Sequence, residues 1–148
     1  IPLVPMGDSA LVWVHNYRIG LRETRGDGEL PFFDRLFAGG EFSVRGYPTN
    51  SLGPTAEDGT PLGGEAMFIT NQELRFPIWN LLSGVAFFDA GNVWEDRQAV
   101  DSTLFTSIGL GLRADSPVGP LRLDFAYPLD RREGDPEYKI YFGLGQTF

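Results

Sequence analysis

Apolar side chains recur at every second position in six segments of the chain. In residues 10–22 the odd positions are nearly all apolar, and the even positions from 16 onward are polar or glycine. The same alternation, in varying clarity, follows in residues 64–76, 84–94, 103–114, 121–127 and 138–148. Period two is the repeat of a β-strand, because successive side chains of a strand point to opposite faces. The sequence therefore predicts an all-β chain with six strands of about ten residues each.

The connections between these segments alternate between short and long. Residues 77–83 and 115–119 form short connections, residues 95–102 and 129–136 longer ones, and residues 23–63 by far the longest. Consecutive antiparallel strands place alternate connections at opposite ends of a sheet, and outer-membrane β-barrels have short periplasmic turns and longer extracellular loops. The alternation predicts an antiparallel sheet whose long loop, at about 23–63, lies on the extracellular side.

Period two alone fits two kinds of protein. A soluble β-sandwich turns its apolar face toward a second sheet, whereas a membrane barrel turns it toward lipid. The small and polar second face suits the interior of a barrel. Aromatic residues near the predicted strand ends, which membrane barrels place at the lipid–water interface, favour the barrel further; they are Trp13, Tyr17, Trp94, Tyr127, Tyr138 and Phe148. The barrel is the preferred hypothesis, and a soluble β-sandwich binding module is kept as an alternative.

Composition and charge exclude several classes of function. The 148 residues carry a formal net charge of −8, which opposes binding to a nucleic-acid backbone. The chain has no cysteine, and its one histidine, His15, falls on the apolar face of the first predicted strand. Neither a histidine-based triad nor a cysteine or histidine metal site can be assembled from these residues. We expect no enzymatic activity, no catalytic residue, no metal and no cofactor.

The long loop contains the stretch FAGGEFSVRGY, residues 37–47. It resembles the signature loop of the BamA/TamA superfamily of outer-membrane assembly factors and their two-partner-secretion relatives. The segments GGEAMFITNQELRFPI, FFDAGNVW, GLGLRADSPVGPLRLDFAYPL and YFGLGQTF resemble, in order and spacing, the last strands of that family's barrel. The resemblance implies that residues 1–148 form the C-terminal part of a sixteen-stranded transmembrane β-barrel. The last two segments are slightly more similar to TamA than to BamA.

The resemblance also implies a set of site residues. In the family the long loop folds back into the barrel lumen, where its arginine pairs with acids on neighbouring strands. Arg45 matches that arginine, and Glu73 and Asp89 match the acids; Gly46 and Tyr47 complete the lock, and the loop motif includes Phe37, Gly39, Gly40 and Val44. The residues support this independently, because both acids fall on the polar face of adjacent predicted strands, and a planar guanidinium can bridge two carboxylates. The alternative is that Arg45 is an ordinary solvated loop charge.

The last predicted strand resembles the C-terminal recognition signal of outer-membrane barrels. Tyr141, Gly143 and the terminal Phe148 match that signal, whereas Gln146 stands where a hydrophobic residue is usual. In the family this strand meets the first barrel strand at a weakly paired seam. Glycines at 143 and 145 would weaken pairing there.

The expected function follows from the resemblance. It is the assembly, insertion or translocation of proteins at the bacterial outer membrane, through the lumenal loop and the lateral seam. A two-partner-secretion export pore is the alternative within the family. The implied partners are outer-membrane lipid, client outer-membrane or secreted proteins, and the N-terminal barrel strands and periplasmic domains of a longer chain. Because six strands leave two open edges, we also expect this segment by itself to self-associate through its edge strands.

Overall fold

The computed structural model describes residues 2–6, 9–23, 30–117 and 119–145. Within these residues the chain forms one antiparallel sheet in which each strand pairs with its neighbours along the chain. The strands, in order across the sheet, are β1 (Pro2–Met6), β2 (Ser9–Leu21), β3 (Ala66–Trp79), β4 (Leu82–Trp94), β5 (Phe105–Ala114), β6 (Leu121–Pro128) and β7 (Lys139–Leu144). The six predicted strands are confirmed as β2 to β7.

The sheet contains one strand more than the sequence predicts. β1 pairs with the beginning of β2, with an irregularity in register between Pro2 and Val4. Its sequence, PLVPM, has two prolines in five residues, and proline cannot donate a hydrogen bond to a neighbouring strand. Proline is uncommon within strands, which explains why period two did not indicate β1.

The two faces of the sheet differ in chemistry. One face, here called the apolar face, carries large hydrophobic side chains that are exposed, among them Tyr17, Ile19, Leu110, Phe125 and Ile140. The opposite face carries polar and charged side chains that are nonetheless buried: Asn71, Glu73, Asp89, Ser107, Arg113, Arg122 and Asp124. This second face is called the covered face. A water-soluble β-sandwich shows the opposite distribution, because it buries hydrocarbon and exposes charge.

The loop between β2 and β3 covers the polar face. It is clamped at its base by an antiparallel bridge between Leu36 and Gly64, whose backbone groups bond at 2.8 and 3.0 Å. From there it packs a small apolar core onto the sheet; the buried members are Ala38, Val44, Tyr47, Leu52, Ile69 and Val93. The core thus lies between the loop and the sheet, and no second sheet is found in the described part of the chain.

The turns agree with the predicted alternation of lengths. Two residues separate β3 from β4, and the first of them, Asn80, has a positive φ of 43°. The β4–β5 and β6–β7 connections are longer and lie at the other end of the sheet, together with the β2–β3 loop. The described residues contain a 3-10 helical turn, Phe32–Asp34, but no helix of the length and hydropathy of a membrane span.

Candidate functional site

Arg45 lies at the centre of the covered face and is completely buried. Its Nε and Nη2 donate to the two carboxylate oxygens of Asp89 at 2.6 and 2.8 Å, and its Nη1 donates to Oε1 of Glu73 at 2.8 Å. The backbone N–H of Arg45 also donates to Asp89, at 3.2 Å. Burial by itself lowers the pKa of Arg45, but the hydrogen bond and charge of Asp89, followed by those of Glu73, outweigh it and raise the pKa. The structure therefore brings together the three residues that the resemblance pairs.

The register of β3 and β4 sets the two acids at the right separation. Asn71 of β3 lies directly opposite Asp89 of β4, and Glu73 lies two residues further along β3 on the same face. The Asn71 amide donates to Asp89 at 2.9 Å and to the Ser43 carbonyl of the loop at 2.6 Å. Asn71 thus fixes the carboxylate and the incoming loop together, a contribution that the sequence analysis missed.

A second set of charges surrounds the three residues. Arg75 donates to the free oxygen of Glu73 at 2.9 and 2.7 Å, and Arg113 holds Asp124 at 2.5 and 3.1 Å. Asp124 in turn lies 3.5 Å from Nη1 of Arg45 and is completely buried. The acids are therefore occupied by arginine donors, which favours an anchoring role over acid–base chemistry. The contact of Asp124 with Arg45 was not predicted, because β6 is distant from the loop in sequence.

An aromatic ring forms the floor of the site. The guanidinium carbon of Arg45 lies 3.6 Å from the centroid of the Phe87 ring. A cation over an aromatic face is attracted by the ring's quadrupole, more strongly where water is excluded. Gly109, opposite Phe87 on β5, leaves room for this ring, since a β-carbon at Gly109 would overlap Phe87 and the backbone oxygen of Phe125.

The loop motif supplies the tight backbone that presents Arg45. Gly46 has a φ of 95° and Gly39 a φ of 105°, which side chains other than glycine rarely adopt. Gly40 donates its backbone N–H to the Val44 carbonyl at 3.2 Å. Val44 is buried in the core under the loop, whereas the Phe37 ring packs edge-on against Phe32 at 5.2 Å.

Tyr47 anchors the loop on the far side of the site. Its hydroxyl donates to the Thr106 carbonyl of β5 at 2.8 Å and accepts from the Asp130 backbone N–H at 3.2 Å. The ring packs edge-on against Phe105, with centroids 5.7 Å apart. The loop is thus attached to the β6–β7 connection as well as to the strands.

The residues of the predicted C-terminal signal are only partly described. Tyr141 and Gly143 lie on β7, on the covered face, and the Tyr141 hydroxyl accepts a hydrogen bond from the Gly46 backbone N–H at 3.0 Å. Phe148 lies outside the described residues. Recognition of this strand by an assembly machinery stays a prediction.

Comparison with known proteins identifies a matching family. The model of the Omp85 superfamily domain matches residues 3–148. The chain belongs to the Omp85 superfamily. It is 35% identical over 133 residues to the outer membrane protein assembly factor BamA of Nitratidesulfovibrio vulgaris, a match that covers 83% of the chain and 16% of that protein. BamA of Neisseria meningitidis serogroup B is 30% identical over 154 residues, covering 81% of the chain and 19% of that protein.

A solved structure shows the same fold. The crystal structure of BamA from Haemophilus ducreyi lacking POTRA domains 1-3 superposes with a TM-score of 0.69 at 25% identity, covering 89% of this chain and 32% of that one. This Omp85 chain is accordingly an all-β, outer-membrane β-barrel segment, which excludes the soluble β-sandwich. It spans less than a fifth of the two bacterial BamA proteins. None of these three relatives is a TamA, so the slight TamA preference is not confirmed.

Proposed function

We propose that residues 1–148 are the C-terminal part of a sixteen-stranded barrel that assembles or inserts proteins at the outer membrane without acting as an enzyme. The names of the bacterial relatives, outer membrane protein assembly factors, support this activity. In this proposal the apolar face meets lipid, the covered face lines the barrel lumen, and the β2–β3 loop is a lumenal plug. In this proposal the periplasmic domains of a longer protein recruit the client proteins.

The observation that carries the proposal is the complete burial of a loop arginine between two strand carboxylates. A surface ion pair contributes little, about 0–1 kcal/mol, and would not hold a loop in place. Removing one partner of a buried pair costs about 3–5 kcal/mol, because the remaining charge is left buried and uncompensated. Arg45, with Glu73 and Asp89, thus acts as a lock that keeps the loop in the lumen.

Replacement of Arg45 tests the proposal in the full-length protein. Since every 1.4 kcal/mol is a factor of ten, Arg45→Ala is expected to lower the ratio of locked to released loop by on the order of a hundredfold or more. The measurements are protease protection of the loop and the rate at which a client barrel inserts into vesicles containing the protein. Arg45→Lys keeps the charge but not the planar fork, so it should restore function only in part.

Arg97→Ala is the matched control. Arg97 is exposed and pairs with Glu23 on the surface, so the same change of charge should leave both measurements at the wild-type level. Wild-type insertion by Arg45→Ala, with its loop released, would refute the role of the lock.

The two-partner-secretion pore remains the alternative within the family. If the loop occupied a conduction path, Arg45→Ala would open a large, steady conductance in planar bilayers. An assembly factor is distinguished by its insertion of client barrels, which Arg45→Ala would then lose.

A further inference from the structure

The loop is also attached to β7, the last described strand. The backbone N–H of Gly46, the residue after the lock arginine, donates to the Tyr141 hydroxyl at 3.0 Å. We propose that Tyr141 is a positioning residue for the loop, and that through it the docking of the loop and the pairing of β7 are coupled. The inference deepens the proposed function, on which its meaning for protein assembly rests.

The ring of Tyr141 makes a second, apolar connection to the lock. It packs against the buried cluster of Val85, Phe87 and Ala126. Phe87 is the ring that lies 3.6 Å beneath the guanidinium of Arg45. Tyr141 therefore contacts the site in two ways. Its ring packs against the cluster that contains Phe87, and its hydroxyl accepts a hydrogen bond from the loop backbone.

A second contact joins the loop to the same end of the sheet, two residues further along β7. Glu41 of the loop pairs with Arg122 of β6, whose cross-strand partner on β7 is Gly143. A β-carbon at position 143 would lie 3.0 Å from Nε of Arg122 and 3.5 Å from Oε1 of Glu41. Gly143 thus leaves the room in which the Glu41–Arg122 pair forms.

β7 has few other restraints within the described sheet. It comprises Lys139–Leu144 and is hydrogen-bonded along its length to β6 alone. Its contacts with the loop therefore add to what β6 provides. Coupling between two sites is reciprocal: if β7 stabilises the docked loop, the docked loop stabilises β7 to the same extent.

Hydrogen exchange on the full-length protein in lipid nanodiscs tests the coupling in both directions. Tyr141→Phe keeps the ring and removes the acceptor, and one neutral hydrogen bond corresponds to roughly a fivefold change in an opening equilibrium. We expect amide exchange about fivefold faster in loop residues 43–47 and also faster in β7. Tyr138→Phe is the matched control, because Tyr138 is exposed and uses its ring to stack on Phe125 at 5.2 Å.

The reverse direction uses Arg45→Ala, which releases the loop without touching β7. Exchange in residues 139–144 is expected to rise together with exchange in residues 43–47. Faster exchange in the loop with wild-type exchange in β7 would overturn the coupling, as would a Tyr141→Phe protein that matches Tyr138→Phe in residues 43–47. If Arg45→Ala still inserts client barrels while the two segments exchange together, the coupling stands and the proposed role of the lock fails.

Discussion

Tyr47 contributes to loop docking through a hydroxyl that is separate from the charge cluster. The side chain is fully buried, and its hydroxyl bonds to Thr106 and Asp130 on two different elements. The Thr106 carbonyl also accepts from the Leu129 N–H, so it keeps a partner if the hydroxyl is removed. The Asp130 N–H, in contrast, would lose the Tyr47 hydroxyl as its acceptor. At about 0.5–1.5 kcal/mol per hydrogen bond, Tyr47→Phe should destabilise the loop by about 1–2 kcal/mol.

The same hydroxyl predicts a dependence on alkaline pH. Burial raises the pKa of Tyr47 from its ordinary value of 10.0 to about 12, against the smaller opposite effect of its hydrogen bond with the Asp130 backbone. Between these values the released loop loses the phenolic proton while the docked loop keeps it, so stability is full below pH 10.0 and falls as pH rises toward about 12. Ultraviolet titration of tyrosinate should show a late phase that Tyr47→Phe removes. An unchanged titration in that variant would contradict the assignment.

Gly109 illustrates how a missing side chain shapes the site. Any β-carbon there overlaps the Phe87 ring and the backbone oxygen of Phe125, and the backbone cannot move away as a flexible side chain can. Gly109→Ala should therefore displace the floor beneath Arg45 and cost about 1–3 kcal/mol, the range for overpacking. Unfolding in denaturant and protease protection of the loop measure the two effects.

Ser107→Ala is the control for that substitution, on the same strand and face. The Ser107 hydroxyl is buried, and among the described residues it has no hydrogen-bond partner. Its removal should be neutral or slightly stabilising. Equal losses in both variants would show that this face of β5 is merely sensitive to change, and that Gly109 has no special role.

At the scale of the elements, strand patterning was predictable because each strand separates two unlike environments. β2 to β7 follow from period two, and so do the outward positions of residues such as Leu110 and Phe125. The ends were less predictable. β3 continues through Pro77 to Trp79 and β4 begins at Leu82, since hydrogen bonding in the sheet persists beyond the last alternating residue.

The contacts between the loop and the sheet required the structure. Pairing of Arg45 with Glu73 and Asp89 could be expected from the family resemblance, but the bond from Asn71 to Ser43 and the bond from Gly46 to Tyr141 could not. They join residues that are 28 and 95 positions apart, and their formation depends on register and on the path of the loop. No local pattern in a sequence carries that information.

At the scale of the whole molecule, the described sheet ends in two strands with one unpaired edge each, β1 and β7. An unpaired edge offers a row of backbone donors and acceptors to another strand. In a closed barrel, neighbouring strands would satisfy both edges. These unpaired edges are the reason to expect self-association of the isolated segment, which stays a prediction.

The apolar face determines the medium in which the molecule folds. Leu110 lies in the middle of β5, between β4 and β6, and is 65% exposed. In lipid, an arginine at the middle of a barrel strand costs about 2–4 kcal/mol, whereas a charge outside the hydrocarbon costs little. Leu110→Arg should therefore reduce folding into vesicles by that free energy, and Val100→Arg, in the exposed β4–β5 connection, should not. If the two variants folded equally well into lipid, the apolar face could not be the surface that meets the membrane.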